Sequence, residues 1–199
     1  MSGAQVTRTR FVVPVILGIM MVQAVVLHLM GRVWICSCGT VRFWVGDIWS
    51  AELSQQMFDW YTPSHVVHGI LFYGLLHLLL PRAPVLVRLL IAAGIEGAWE
   101  IAENSPWVIE AYRKQALAAG YVGDSILNSV SDTLMMTCGF LAASRLRPRL
   151  VIALALGMEL FTAWAIRDNL TLNVFNLLAP SDWAVTRAVH DWQSGGIRK

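Results

Sequence analysis

Three sets of polar side chains recur at helical spacing in this chain of 199 residues. Glu96, Glu100 and Asn104 are four apart, Asp124, Asn128 and Asp132 are four apart, and His65 and His68 are three apart. Residues three or four apart share one face of a helix, so each set shows its polar groups to one side. Two imidazoles and several carboxylates on facing helices are ligand types that helical bundles use to hold metal ions. On this reading His65, His68 and Asp132 bind a divalent metal ion. Glu96 and Glu100 are the catalytic carboxylates, one of them a general base. Asp124, Asn128, Asn104, Arg167 and Asp168 form the substrate-binding set, with Arg167 as a two-pronged donor to phosphate. His28 and His77 stand alone and read as core or interface residues, and Glu159 reads as a partner for His28 or Arg88.

The elements that must position these residues are apolar. The chain is 56% hydrophobic and 14% charged, with a mean hydropathy of +0.57, against about 25% charged residues in soluble domains. The fold class expected is all-α: an integral membrane bundle of about five transmembrane helices, with short interfacial helices on the outer side. Residues 1–199 form one membrane domain, with spans at about 11–31, 64–80, 84–104, 125–144 and 150–166. The first of these follows MSGAQVTRTR and reads as a retained span, not a cleaved signal. Glu96, Glu100, Asp132 and Glu159 fall inside such stretches, where each ionised carboxylate costs roughly 2.5–3.5 kcal/mol on insertion scales. Four of them in one small bundle point to an intramembrane site.

Basic residues orient the bundle. Arg8, Arg10, Arg82 and the cluster Arg145, Arg147 and Arg149 mark one side as cytoplasmic, so the N-terminus is inside and the C-terminus outside. No Asp or Glu lies on that inner side. Alternating helices then bring the histidines, Glu96 and Glu100, Asp132 and the start of 167–169 into the same outer half of the bilayer. Trp34, Trp44, Trp49, Trp60 and Tyr61 crowd the first outer segment, where amphipathic rings sit at head-group depth. PWVIEAYRKQALAA has near-helical spacing and reads as a short interfacial helix. TLNVFNLLAP is too short to cross and folds back as an interfacial or re-entrant piece. Cys36 and Cys38 form a C-x-C compatible with a disulfide, a soft-metal contact or two thiols, and Cys138 reads as a small buried hydrophobe. A formal charge of +2 and the absence of a basic run leave no nucleic-acid partner. Membrane lipids are the partners expected.

The strings DWYTPSHVVHGILFY, IEGAWEIAEN, GDSILNSVSDTLMMTCGFLAA and IRDNLTLNV closely resemble an uncharacterised family of bacterial multi-pass inner-membrane proteins. More distantly, the chain is similar to VanZ-type and YjdF-type membrane proteins. Those place a histidine motif at the start of one helix, a glutamate at the end of the next and an aspartate–asparagine motif at the opening of another. The resemblance maps these onto His65 and His68, onto Glu96 or Glu100, and onto Asp124, Asn128 and Asp132. Leu53 in SAELSQQ departs from the asparagine expected there. The VanZ-type likeness implies a connection with the cell envelope. The function expected is an outward-facing His/carboxylate pocket in a bacterial inner membrane, binding a divalent metal and acting on or binding a lipid head group or envelope precursor. A proton or cation pathway and a non-catalytic membrane assembly factor are the alternatives compatible with the same residues.

Overall fold

The computed structural model describes residues 3–115, 117–118 and 120–195, with side chains from Phe11 onward. The described residues form eight helices and no strand. Five of them, α1 (Gly3–Leu29), α2 (Thr62–Leu79), α3 (Val85–Glu103), α5 (Ile126–Ala143) and α6 (Pro148–Ile166), lie on the five apolar segments of the sequence. The short α4 (Pro106–Arg113) and α7 (Leu170–Leu178) fall in the stretches read as interfacial. An eighth helix, α8 (Ala184–Ser194), has no counterpart in the sequence reading. Its apolar Val185, Val189 and Trp192 recur at i, i+4 and i+7 in an otherwise polar segment, a stripe too narrow to announce a helix.

Three helices are long and apolar enough to cross a membrane, over Phe11–Leu29, Ile126–Ala143 and Pro148–Ile166, which suggests membrane association. The other two long helices carry too much polarity. His65, His68 and His77 dilute α2, while Arg88, Glu96, Glu100 and Glu103 charge α3. The helices least able to pass as spans are therefore those that carry most of the polar site. On α6, Leu154, Leu156, Leu160, Phe161 and Trp164 are exposed, an apolar surface of the kind that meets lipid or a partner.

Helix starts follow from local chemistry. Ser125 accepts the Asn128 N–H to cap α5, and Ser105 accepts the Val108 N–H to cap α4, where Pro106 takes the first helical position. Ahead of α2, Asp59 accepts the backbone N–H groups of Ser54 and Tyr61. Asn169 caps α7 through the Leu172 N–H. The Glu159 carboxylate accepts the next two N–H groups, of Leu170 and Thr171. Glu159 thus balances the positive end of α7 and does not pair with His28 or Arg88. Arg88 instead donates to His77 Nδ1 at 2.8 Å and lies over the Tyr73 ring, so His77 has a partner after all. His28 packs against Trp34 with the rings tilted. Cys138, expected to be buried, is exposed, because the packed face of α5 is taken by Met136, Gly139 and Phe140.

The core of the bundle is the pair α2 and α5. His65 faces Asp132 and Tyr73 faces Phe140, so these two helices run parallel. On α3 the order reverses, with Glu100 near His65 and Arg88 near His77. Gly69 and Gly139 set the crossing of α2 with α5. A Cβ on Gly139 would run into the Val66 carbonyl, and one on Gly69 would run into the Met136 carbonyl and Phe140 N–H. Such approach of backbone to backbone is open only to glycine. One half of the bundle is apolar, built on Leu76, Leu89, Ala92, Ala93, Met136 and Phe140. The other half is polar, and the loop 30–61 closes over it. That loop joins Cys36 to Cys38 in a disulfide and is pinned to the start of α5 by Ser125 N–H to the Ser54 carbonyl and Asn128 Nδ2 to the Gln56 carbonyl.

Candidate functional site

Facing α2 across the bundle, Glu96 is fully buried and accepts hydrogen bonds from both imidazoles. His65 Nδ1 donates to it at 2.7 Å and His68 Nδ1 at 3.2 Å. This single carboxylate fixes two rings through the same nitrogen, which leaves Nε2 of each as the free lone pair. His65 Nε2 stands 3.8 Å from Asp132 Oδ2 on α5. That is too long for a hydrogen bond. Two ligands of one metal ion, each at about 2.0–2.2 Å, lie roughly 3–4 Å apart, so the gap suits an ion between them.

Glu100, one turn along α3, comes within 3.4 Å of His65 Nδ1. Its Oε2 accepts the Ser129 hydroxyl at 2.7 Å. Ser129 in turn accepts Gln23 Nε2, and Gln23 Oε1 accepts the Thr133 hydroxyl. This chain of bonds from α1 through α5 to α3 holds Glu100 in one orientation. Buried Glu100 Oε1 and Asp132 Oδ1 nevertheless have no hydrogen-bond donor. Buried polar atoms are nearly always paired, so these two oxygens, with Glu96 Oε2 as a third around His65, mark a place for a proton or a cation. His65, Glu100 and Asp132 each offer an atom within 4.8 Å of the others, and so do His65, His68 and Glu96.

Beside this centre opens a cavity of about 330 Å³, lined in part by His65, His68, Asp132, Asn128 and Asp124. Asp124 and Asn104 form a reciprocal pair. Asn104 Nδ2 donates to Asp124 Oδ2, and the Asp124 N–H donates to Asn104 Oδ1, both at 2.7 Å. Tyr121 also donates to Asp124. Burial pushes the Asp124 carboxyl up to about 6 against these bonds, and burial with the adjacent Asp124 charge holds the Tyr121 phenol well above its ordinary value. Asn128 lines the cavity while holding the Gln56 carbonyl.

The structure thus gathers His65, His68, Glu96, Glu100 and Asp132 into two triads that share His65, one with His68 and Glu96 and one with Glu100 and Asp132, and sets Asp124, Asn104 and Asn128 beside them. Arg167 is drawn elsewhere. It ends α6 with a left-handed backbone, donates to the Trp192 carbonyl and lies over the Trp192 ring, so it is not among the cavity-lining residues. Asp168 is not itself in the cavity lining and reaches it through Tyr61, whose hydroxyl donates to it at 3.1 Å, and through Asn173. Gln23, Ser129, Tyr61, Glu103, Tyr112 and Tyr121 are not among the site residues that the sequence singles out. Gln23 carries a signal, as a lone amide in an apolar helix, and Glu103 another, seven residues after Glu96. The tyrosines carry none.

Asp168 supplies a test of the outer layer. Burial pushes its carboxyl up to about 6, opposed by bonds from the Asn169 N–H, Tyr61 and Asn173. A carboxyl whose folded pKa lies above its unfolded value near 3.8 favours folding most at low pH. That contribution is lost as pH rises from about 4 to 6, at about 1.4 kcal/mol for each pH step of one. The thermal midpoint should therefore fall across this window, and less steeply in Asp168→Asn. Equal slopes in the two proteins would exclude Asp168 as a source of the pH dependence.

A family model described as "Protein of unknown function (DUF2585)" matches residues 27–195. A UPF0314 protein of Sinorhizobium fredii is 55% identical over 179 residues, covering 90% of this chain and 88% of its own. One from Rhizobium meliloti is 54% identical with the same coverage. A third, from Sphingopyxis alaskensis, is 54% identical over 87% of this chain and 89% of its own. No solved structure matches.

Proposed function

We propose, for a chain that belongs to the DUF2585 family of unknown function, that it is a multi-pass protein of the bacterial inner membrane with a metal centre open to a head-group pocket. The observation that carries this reading is the pair His65 Nε2 and Asp132 Oδ2, 3.8 Å apart, with His65 Nδ1 tied to a buried glutamate. A ligand histidine that gives its other N–H to a carboxylate is the usual support of a metal site. His65, His68 and Asp132 would hold a divalent ion. Glu96 would orient the two rings, and Glu100, with one oxygen free of donors but outside the cavity lining, would serve as general base toward a bound molecule that reaches past the histidines. Bound metal would supply Lewis-acid chemistry.

In this reading α2 and α3 cross the membrane beside α1, α5 and α6, since their polar faces turn inward on one another, where neither meets hydrocarbon. The N-terminus lies in the cytoplasm, and the cavity faces outward under the Trp-rich loop. A lipid head group or a lipid-linked envelope precursor is the class of molecule that such a cavity meets. A place in the envelope is also what the resemblance of its sequence motifs to VanZ-type proteins would imply.

Elemental analysis of the full-length protein, purified in detergent without chelator, tests the metal. Near-stoichiometric Zn, Mn or Fe is expected in the wild type and none in His65→Ala/His68→Ala. Absence of metal from a folded wild type, with no uptake on adding these ions, would overturn the assignment.

A further inference from the structure

Acidic side chains outnumber basic ones around the cavity beside the proposed metal site, where His65 and His68 are the basic residues of the lining. Carboxylates of Asp59, Glu103, Asp124 and Asp132 line it, and Glu96 and Glu100 stand behind the histidines. No lysine or arginine is among its described lining residues. Asp132 is 5% exposed, lines the cavity and has Oδ1 buried without a donor. Tyr112, Trp49 and Trp99 line the same space, and Glu103 faces Tyr112, whose phenol burial and that carboxylate hold well above its ordinary value.

An anion is repelled by such a surface. A neutral apolar molecule would take water from the carboxylates that line the cavity and give them no donor, at a cost typical of unsatisfied buried groups. A quaternary ammonium brings charge but no N–H. A primary ammonium brings both, with three donors on a compact cation, and aromatic walls favour cations further. The guanidiniums nearby stand outside the lining. Arg113 donates to the Tyr121 carbonyl and Arg32 to the Val122 carbonyl, both residues of the cavity wall. Negative charge inside and positive charge outside is the order that a zwitterionic aminated head group complements, with its ammonium at the tip and its phosphate behind.

From this we infer that the cavity binds a primary ammonium group, carried into it by an aminated phospholipid. The inference rests on the reading of the cavity as a head-group pocket and names the head group. The Glu103 and Asp132 carboxylates accept the N–H donors, and Trp49 and Trp99 enclose the cation.

Native mass spectrometry of the full-length protein in detergent tests it, with phosphatidylethanolamine and phosphatidylglycerol of matched chains and with free ethanolamine. Phosphatidylethanolamine should bind about tenfold better than phosphatidylglycerol, the worth of one charge-assisted hydrogen bond. Glu103→Gln should remove most of that preference. Binding of ethanolamine without lipid would support the ammonium site and make a free amine its source. Equal binding of the two lipids by the wild type, or a preference unchanged in Glu103→Gln, would overturn the ammonium while leaving the pocket. Failure of every lipid and of ethanolamine to bind would overturn the head-group reading as well.

Discussion

Alanine at Gly139 is expected to lower the thermal midpoint of the detergent-solubilised protein by roughly 5–10 °C, since overpacking costs about 1–3 kcal/mol and a chain of this size loses a few degrees for each. The reason is geometric. The new methyl would occupy the place of the Val66 carbonyl, and that oxygen belongs to backbone, which a rotamer change cannot move. The helices α2 and α5 must separate instead. His68 lies next to Gly69 in the same crossing, and His65 and Asp132 sit on its polar side. Separation therefore lengthens the 3.8 Å gap that an ion would bridge, and metal content should fall with stability. Gly74→Ala is the control on α2, because a Cβ there meets nothing within 4 Å. It should be neutral or stabilising by up to about 1 kcal/mol, as expected for glycine replaced within a helix. If Gly139→Ala melts like Gly74→Ala, the helices are not held at glycine distance.

Much of this fold is legible in the sequence because its long helices are marked by apolar runs broken at Pro81, Pro84 and Pro148, and by capping residues such as Ser125. The convergence of His65, His68, Glu96, Glu100 and Asp132 follows from periodicity and alternating direction alone. What periodicity lacks is the third dimension at the scale of single bonds. It ranks Glu96 and Glu100 alike, whereas one is engaged by two imidazoles and the other is held by Ser129. Arg167 reads as a phosphate donor by type and position, yet a left-handed cap turns it onto α8, an element whose narrow apolar stripe gives little signal. Glu159 illustrates the same limit. Its place in an apolar helix suggests a buried ion pair, and its actual partners are N–H groups of a helix that begins eleven residues later. The tyrosines of the cavity wall come from α4 and from irregular chain, where sequence spacing carries no direction.

Glu96→Gln is expected to weaken metal binding about 10–100-fold, the range typical of support residues behind metal-ligating histidines, without unfolding the bundle. The substitution keeps the volume of a side chain that is 0% exposed, so packing with α2 survives. It removes the charge that both Nδ1–H groups address. Glutamine offers one carbonyl oxygen to two imidazoles, and its NH2 meets the other as a second donor. One ring must then turn or change tautomer, which puts a proton on the Nε2 that should face the ion. Adding zinc to the apo-protein and following bound metal by equilibrium dialysis reads the change directly. Glu100→Gln is the informative comparison. Its Oε2 still has a surrogate to accept the Ser129 hydroxyl, and neither imidazole depends on it for orientation, so metal affinity should change much less while any turnover is lost. Were the two variants to lose metal equally, the carboxylates would be ligands of equal standing, and the division between an orienting Glu96 and a basic Glu100 would fail. Were neither to lose it, the histidines would be held by packing alone. The 2.7 Å bond from His65 to Glu96 argues against that, because the next carboxylate on the same nitrogen, Glu100, stands at 3.4 Å without a hydrogen bond.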